Sequence, residues 1–389
     1  MNSVDYIVGS DKVIDTPLSI FNDDVCNFIA KLAFSILSSN VVRDFPDLAA
    51  LAFWGRKANL KKLKDEFGDI SGRIGRGLCF HIAPSNIPIN FAFSYLISLL
   101  AGNANIVRLP SVKYPQVDIL CNIIDNTLKS YPEIEKRTAF VRYDRNNEIT
   151  GKFSKNADVR MIWGGDETIS VIKSVPAPVH CIDIAFADRY SIALIDGAAI
   201  ENANDEQMQR LAENFYNDTY LMDQNACSSP QIIFWQNADD KQRDRFWSAI
   251  EYCAKKKYVL QDASVVDKYT LLCEESISNE NVKAVKHAGN WLYRVELRKL
   301  NPSVINHRGK CGLFYEYVLS DMLELFSIIN RKFQTLVFFG IDPVHLRDKV
   351  VKANLKGIDR IVPIGKAMDI GTIWDGHDLV RELSRLIAL

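Results

Sequence analysis

Gly77-Leu-Cys-Phe-His-Ile-Ala83, Pro84-Ser-Asn-Ile-Pro88, the run 89–101 and Asn105-Ile-Val-Arg-Leu109 together decide the fold. The first segment is a short apolar strand, and the second is a turn that two prolines stiffen. The third is a helix apolar on nearly every side, stopped by Gly102-Asn103. The fourth is another strand, closed by Pro110. Strand, loop, helix and strand within about thirty residues form a βαβ unit. A helix that is hydrophobic all round belongs between a sheet and a further layer.

The same rhythm spreads outward from this unit. Upstream, Val25, Phe28, Ile29, Leu32, Ala33, Ile36 and Leu37 fall on one helical stripe, with Asn22 and Asp23 as N-caps. A second helix is expected over 46–67, ending at Gly68. Downstream, helices over 116–129, 148–155 and 167–173 alternate with strands over 139–142 and 159–163 and an extended run over 179–186. Repeated alternation with short links argues a doubly wound, mostly parallel α/β sheet. From residue 191 onward strands and helices alternate again, apart from a poorly patterned stretch over 258–290. The expected organisation is a Rossmann-like cofactor domain at 1–190, an α/β catalytic domain at 191–360 and a small bridging or oligomerisation element at 361–389.

Composition excludes several functions. With 47 basic and 48 acidic residues the net charge is −1, which gives no electrostatic case for nucleic acid. Eight cysteines and six histidines are scattered without a C-x-x-C or H-E-x-x-H pair, so no metal site is expected. The chain opens without a secretory pattern, and its longest apolar run, 91–101, is too short to span a bilayer. A cytoplasmic protein with reduced thiols is the expectation.

Three places hold chemistry. Cys227 lies in Asp223-Gln-Asn-Ala-Cys-Ser-Ser-Pro230, a polar turn between a helix-like and a strand-like segment. Loops between ordered elements are where nucleophiles are usually carried, although most free cysteines are packed and inert. Asn86, held between Pro84 and Pro88, is either an oxyanion donor or a turn residue satisfying its own backbone. Gly164-Gly165 follows a strand and precedes a helix, which permits a close approach to a phosphate, but Asp166 and Glu167 oppose an anion there. Neither G-x-G-x-x-G, a P-loop nor a G-x-S-x-G elbow occurs.

Taken together, 77–111, Gln224-Asn-Ala-Cys-Ser-Ser-Pro230, Phe333-Gln-Thr335, Gly357-Ile-Asp-Arg-Ile-Val-Pro-Ile-Gly365 and Thr372-Ile-Trp-Asp-Gly376 resemble the aldehyde dehydrogenase superfamily. More closely, they resemble its fatty acyl-CoA reductases of the bacterial bioluminescence (LuxC) type. The resemblance spans about 45–389. It implies an aldehyde dehydrogenase-like fold, Cys227 as nucleophile and Asn86 as oxyanion donor. It implies an acyl-CoA or acyl-protein thioester as substrate, an acyl-protein synthetase as partner and a homo-oligomer. The cofactor is expected at Pro84, Ser85, Arg108, Ser111, Lys113, Gly164, Gly165, Gln334 and Thr335.

The departures sharpen this expectation. The superfamily's Lys-Pro-Ser-Glu run corresponds here to Leu109-Pro110-Ser111-Val112, flanked by Arg108 and Lys113. Loss of the acid beside two cations favours NADPH over NADH. The hydrolytic Glu-Leu-Gly-Gly run corresponds to Cys181-Ile-Asp-Ile-Ala185, so the water-activating carboxylate is replaced by the shorter Asp183. The expected reaction is reduction of the thioester to an aldehyde through acyl-Cys227. The alternatives are a reductase of an acyl phosphate or of a short or sugar-linked acyl group, or an acyl-transfer or scaffold subunit that reduces nothing.

Overall fold

The computed structural model describes residues 4–389. They form two compact units: the amino-terminal part through Asp188 together with Ile370–Leu389, and Arg189–Asp369. Where the sequence sets 361–389 apart, the structure keeps residues through Asp369 in the second unit and returns the rest to the first. There Ser384–Leu386 pairs antiparallel with Arg73–Gly75. Asn103 Nδ2 donates to Leu383 O at 2.9 Å and Arg76 Nε to Glu382 O at 2.6 Å, which secures this return.

The first unit holds a six-stranded sheet in the order Asp5–Val8, Thr138–Arg142, Ala104–Arg108, Leu78–Ile82, Val159–Trp163, Ile182–Phe186. Every pairing is parallel except that of Asp5–Val8, which runs antiparallel along one edge and is not visible in the sequence pattern. The helix Asn90–Leu100 is buried from Phe91 onward. It lies between the sheet and the helix Asp23–Leu37, which explains its lack of a polar face. Its end is a Schellman motif: Gly102, at φ +87°, donates to Leu99 O and Asn103 N donates to Ser98 O.

The long helix expected over 46–67 is two helices, Pro46–Trp54 and Lys57–Phe67. Gly55 separates them because the chain crosses Asp23–Leu37 closely there. A Cβ on Gly55 would meet Ala33 Cβ at 3.1 Å and Ile29 Cγ2 at 3.3 Å.

The second unit holds a seven-stranded sheet in the order Val282–Ala288, Leu292–Leu297, Leu313–Val318, Pro230–Gln236, Tyr190–Asp196, Phe333–Phe339, Arg360–Pro363. Only the outermost pair, Val282–Ala288 with Leu292–Leu297, is antiparallel. Hydrophobic clusters cover both faces, as an α/β sheet requires. The unpatterned stretch 258–290 resolves into the helix Asp262–Ser278 and that antiparallel strand.

Candidate active site

In the first sheet the chain steps outward from Leu78–Ile82 to Ala104–Arg108 and Thr138–Arg142. It then crosses to Val159–Trp163 on the other flank of Leu78–Ile82. Loops leaving either side of this reversal diverge and open a crevice at the carboxyl ends of the strands. Those ends carry Pro84, Ser85 and Asn86 on one side and Gly164 and Gly165 on the other. Arg108, Ser111 and Lys113 follow from the carboxyl end of the neighbouring strand. The structure therefore gathers eight of the sequence candidates along one edge of the first unit.

Their contacts differ. Ser85 Oγ and Ser111 Oγ lie 2.9 Å apart, and the Tyr114 hydroxyl donates to Ser85 O at 2.8 Å, so the two loops are tied together. Arg108 stacks over the Tyr143 ring at 4.6 Å and donates to Tyr143 O at 3.3 Å, which commits part of its guanidinium fork. Lys113 is exposed. Gly165 caps the helix Asp166–Ser174 at φ −68°, a conformation open to any residue, and a Cβ there would meet nothing within 4 Å. Glycine is thus not required by the backbone, and the space above the helix end is clear. Asn86 is exposed, and its amide makes no hydrogen bond among the described residues, so it is not capping its own turn.

His81 packs, as its place in a buried strand suggests. Its ring bonds Ser94 Oγ at 2.8 Å and Asn105 Oδ1 at 2.9 Å, and burial holds its pKa down at about 4. Asp183 is bound from the side. The buried Arg160 donates Nε and Nη2 to its two oxygens at 2.7 and 2.8 Å while Nη1 donates to Val175 O at 2.8 Å. Both oxygens of the carboxylate are thus engaged by one arginine.

The second unit carries Cys227, and it does so at the amino ends of the strands. The loop enters through Asp223 and Gln224, both left-handed at φ 50° and 60°. Gln224 is buried. Its Oε1 accepts from Gly312 N at 2.8 Å, its Nε2 donates to Leu313 O at 3.0 Å, and its carbonyl accepts from Gln231 Nε2 at 2.9 Å. At the far end Ser229 Oγ donates to Asp218 O at 2.8 Å. Between these anchors Ser191 Oγ donates to Cys227 O at 2.6 Å and accepts from Thr335 N at 3.3 Å. Cys227 is half-buried, whereas Ala226 and Ser228 on either side are buried. Gln334 and Thr335 are also buried, beside a register shift between their strand and Tyr190–Asp196.

Burial decides against most of the other thiols. It raises those of Cys26, Cys79 and Cys253, lifts Cys181 to about 11 and Cys121 to about 12. A thiol held neutral is a poor nucleophile.

Sequence reasoning missed the residues that build the nucleophile loop: Gln224, Gln231, Ser229, Ser191 and Asp218. The available signal was polar residues set into apolar runs, as with Ser191 in Tyr190–Asp196 and Gln231 at the start of Pro230–Gln236. Among the described residues no helix is long and apolar enough to cross a membrane.

Known proteins fit this geometry. The chain is 23% identical over 331 residues to the long-chain acyl-protein thioester reductase of Aliivibrio fischeri and 22% identical over 324 residues to that of Vibrio harveyi. Each alignment covers 80% of this chain but 63% of the relative, so the chain spans less than two thirds of either. Among solved structures, 1-pyrroline-5-carboxylate dehydrogenase from Thermus thermophilus superposes with a TM-score of 0.64 at 12% identity, over 94% of this chain and 81% of that one. An NAD-dependent benzaldehyde dehydrogenase from Corynebacterium glutamicum gives 0.59 at 12% identity, over 93% and 84%. These establish an aldehyde dehydrogenase-like fold. The profile of the acyl-CoA reductase (LuxC) family matches residues 50–269, more than half of the sequence. On that match the chain belongs to the acyl-CoA reductase (LuxC) family.

Proposed function

We propose that the protein reduces an acyl thioester, an acyl-CoA or an acyl-protein, to the aldehyde through a covalent acyl-Cys227 intermediate, with NADPH as reductant. The observation that carries this reading is the Cys227 loop. Its backbone is tied at both ends and the thiol is its half-exposed member between two buried neighbours. The names of the two curated relatives support the acyl-thioester substrate.

The Cys227 thiolate attacks the thioester carbonyl, forming a C–S bond and a tetrahedral oxyanion. The Cys227 N–H donates to that oxyanion, and the resemblance to the aldehyde dehydrogenase superfamily gives the same role to Asn86, whose amide is uncommitted. One well-placed donor of this kind contributes about 3–4 kcal/mol. Collapse expels the donor thiol and leaves the acyl group on sulfur. The crevice edge suits a dinucleotide: Gly165 leaves the helix end open, and Ser85, Ser111, Lys113 and the free portion of Arg108 offer hydroxyls and positive charge. Gln334 and Thr335, buried in the nucleophile's own unit, are the residues there that the resemblance gives to the cofactor. When bound, a reduced nicotinamide would supply hydride to the acyl carbon. Cys227 then leaves as thiolate and takes up a proton. Because Asp183 is clasped by Arg160, it does not prepare water for a competing hydrolysis.

The test is acyl-enzyme formation. Cys227→Ala is expected to lose both aldehyde production and labelling by radiolabelled acyl-CoA; undiminished labelling overturns the assignment. Rates with NADPH and NADH are compared in parallel, and a clear preference for NADH overturns the reading of Arg108 to Lys113.

A further inference from the structure

One buried carboxylate, on the last turn of the helix Asp205–Thr219, is unused by the chemistry above. Asp218 is fully buried. Its Oδ2 accepts from Gly365 N at 2.6 Å and its Oδ1 from Ala367 N at 3.0 Å. Its own carbonyl accepts from Ser229 Oγ, and the carbonyl of the next residue, Thr219, accepts from Gln224 N at 2.9 Å. A single residue thus grips the turn that follows Arg360–Pro363 with its side chain and the nucleophile loop with its backbone.

That turn reaches the loop a second way. Ser228 Oγ lies 3.7 Å from Met368 Sδ. Arg360 folds over the same turn, donating to the carbonyls of Ala367 at 2.7 Å, Lys366 at 2.8 Å and Asp369 at 2.5 Å. Arginine takes the carbonyls and aspartate the N–H groups, so a stretch without regular structure is satisfied on both sides. Gly365, at φ +98°, sits where a Cβ would collide with Asn214 at 2.6 Å, which keeps the turn pressed to the Asp218 helix.

Resting on Cys227 as the nucleophile, we propose that Asp218 is a positioning residue for that thiol, holding the Gly365–Asp369 turn against the Cys227 loop when ionised. Each N–H donor meets its own carboxylate oxygen, whereas an amide would turn an NH2 group toward one of them and a protonated acid keeps only one strong acceptor. The charged groups facing Asp218 are Asp369 and Arg360, and Lys366 pairs with Asp369 at 2.9 Å. Burial, ahead of the two N–H bonds that oppose it, lifts the Asp218 pKa to about 7. The grip is therefore made and released across neutral pH.

Alkylation by iodoacetamide, read at the Cys227 peptide by mass spectrometry between pH 5.5 and 9, tests this without a substrate. The wild-type protein is expected to show an inflection near pH 7 beyond the thiol's own ionisation. Asp218→Asn is expected to lose that inflection and to react about tenfold more slowly at pH 8. Asp218→Glu, which keeps both oxygens, is expected to restore part of the pH dependence. If Asp218→Asn does not fold, the wild-type protein still decides. Amide exchange at Gly365 and Ala367, corrected for intrinsic rate, should quicken as pH falls below 7. A profile with the thiol's ionisation alone, together with constant protection of those amides, overturns the proposal. Failure of acyl labelling in the wild type would overturn the reading of Cys227 and leave this result standing by itself.

Discussion

Gln224→Ala is the most direct probe of the loop that carries Cys227. The substitution removes one amide that serves two backbone groups, Gly312 N and Leu313 O, both in buried residues. A buried backbone group left without its partner costs about 1–3 kcal/mol, so two cost about 2–6, and water entering the vacated space brings the expected loss to about 3 kcal/mol. A local opening made easier by about 3 kcal/mol raises amide exchange by roughly a hundredfold. Hydrogen exchange at Gly312 and along Leu313–Val318 is therefore the assay, with alkylation of Cys227 as the functional readout. Both should change, exchange rising by about two orders of magnitude and alkylation falling. Gln224→Glu separates hydrogen bonding from shape. Its carboxylate still accepts from Gly312 N but faces Leu313 O without a proton, so protection should recover only at acid pH, where the carboxyl donates again. Exchange within twofold of wild type in Gln224→Ala, with unchanged alkylation, would refute the idea that this amide holds the loop.

Four further outcomes follow from the geometry. Gly165→Ala should melt at the wild-type temperature, because its φ and the space around it accept a methyl group, yet raise the KM for NADPH about tenfold if a phosphate approaches that turn; an unchanged KM removes Gly165 from the cofactor site. Arg160→Met leaves Asp183 charged in a largely buried setting and should destabilise the first unit by about 3–5 kcal/mol, seen as a lowered Tm. Asp183→Asn should leave the ratio of aldehyde to acid product unchanged, and a shift toward acid or away from it would mark Asp183 as chemically active. Asp218 titrates higher in the folded chain than in the unfolded one, so its contribution to stability is present below about pH 4 and is lost as pH rises to about 7. That loss amounts to about 4 kcal/mol at 1.36 kcal/mol per pKa unit. Asp218→Asn should flatten this dependence in urea unfolding measured from pH 4 to 8.

The legible parts of the sequence were those where one physical pattern dominates. The strand Leu78–Ile82, the helix Asn90–Leu100 and its glycine stop read clearly because burial on all sides leaves a run that is apolar at most positions. Cys227 and Asn86 were legible as polar groups in turns, and the first-sheet candidates fell on one edge because the strands are parallel. The helix Asp262–Ser278 was not legible. Its apolar residues Val266, Tyr269 and Ile277 face outward, while Lys268 is buried and donates to Cys311 O at 2.7 Å, which reverses the usual pattern. Asp5–Val8 is an edge strand of four residues, too short for alternation to register. The break at Gly55 depends on a neighbouring helix remote in sequence. The struts of the Cys227 loop join residues as far apart as 191, 224, 312 and 365, and no local window contains them.

The supports of the Cys227 loop share one property. Gln224, Gln231, Ser229, Ser191 and Asp218 each use a side chain to grip main chain, at Gly312 and Leu313, at Gln224, at Asp218, at Cys227, and at Gly365 and Ala367. A contact of that kind specifies where a backbone runs and is indifferent to most side chains along it. Mutational tolerance should therefore be lopsided. In a saturation screen scored by acyl labelling, the five gripping residues should accept few replacements, while Leu313 and Ala367 should accept many that preserve volume. The precision of the thiol's placement is written into a few polar side chains, and the surrounding strands are left to vary as long as their paths are kept.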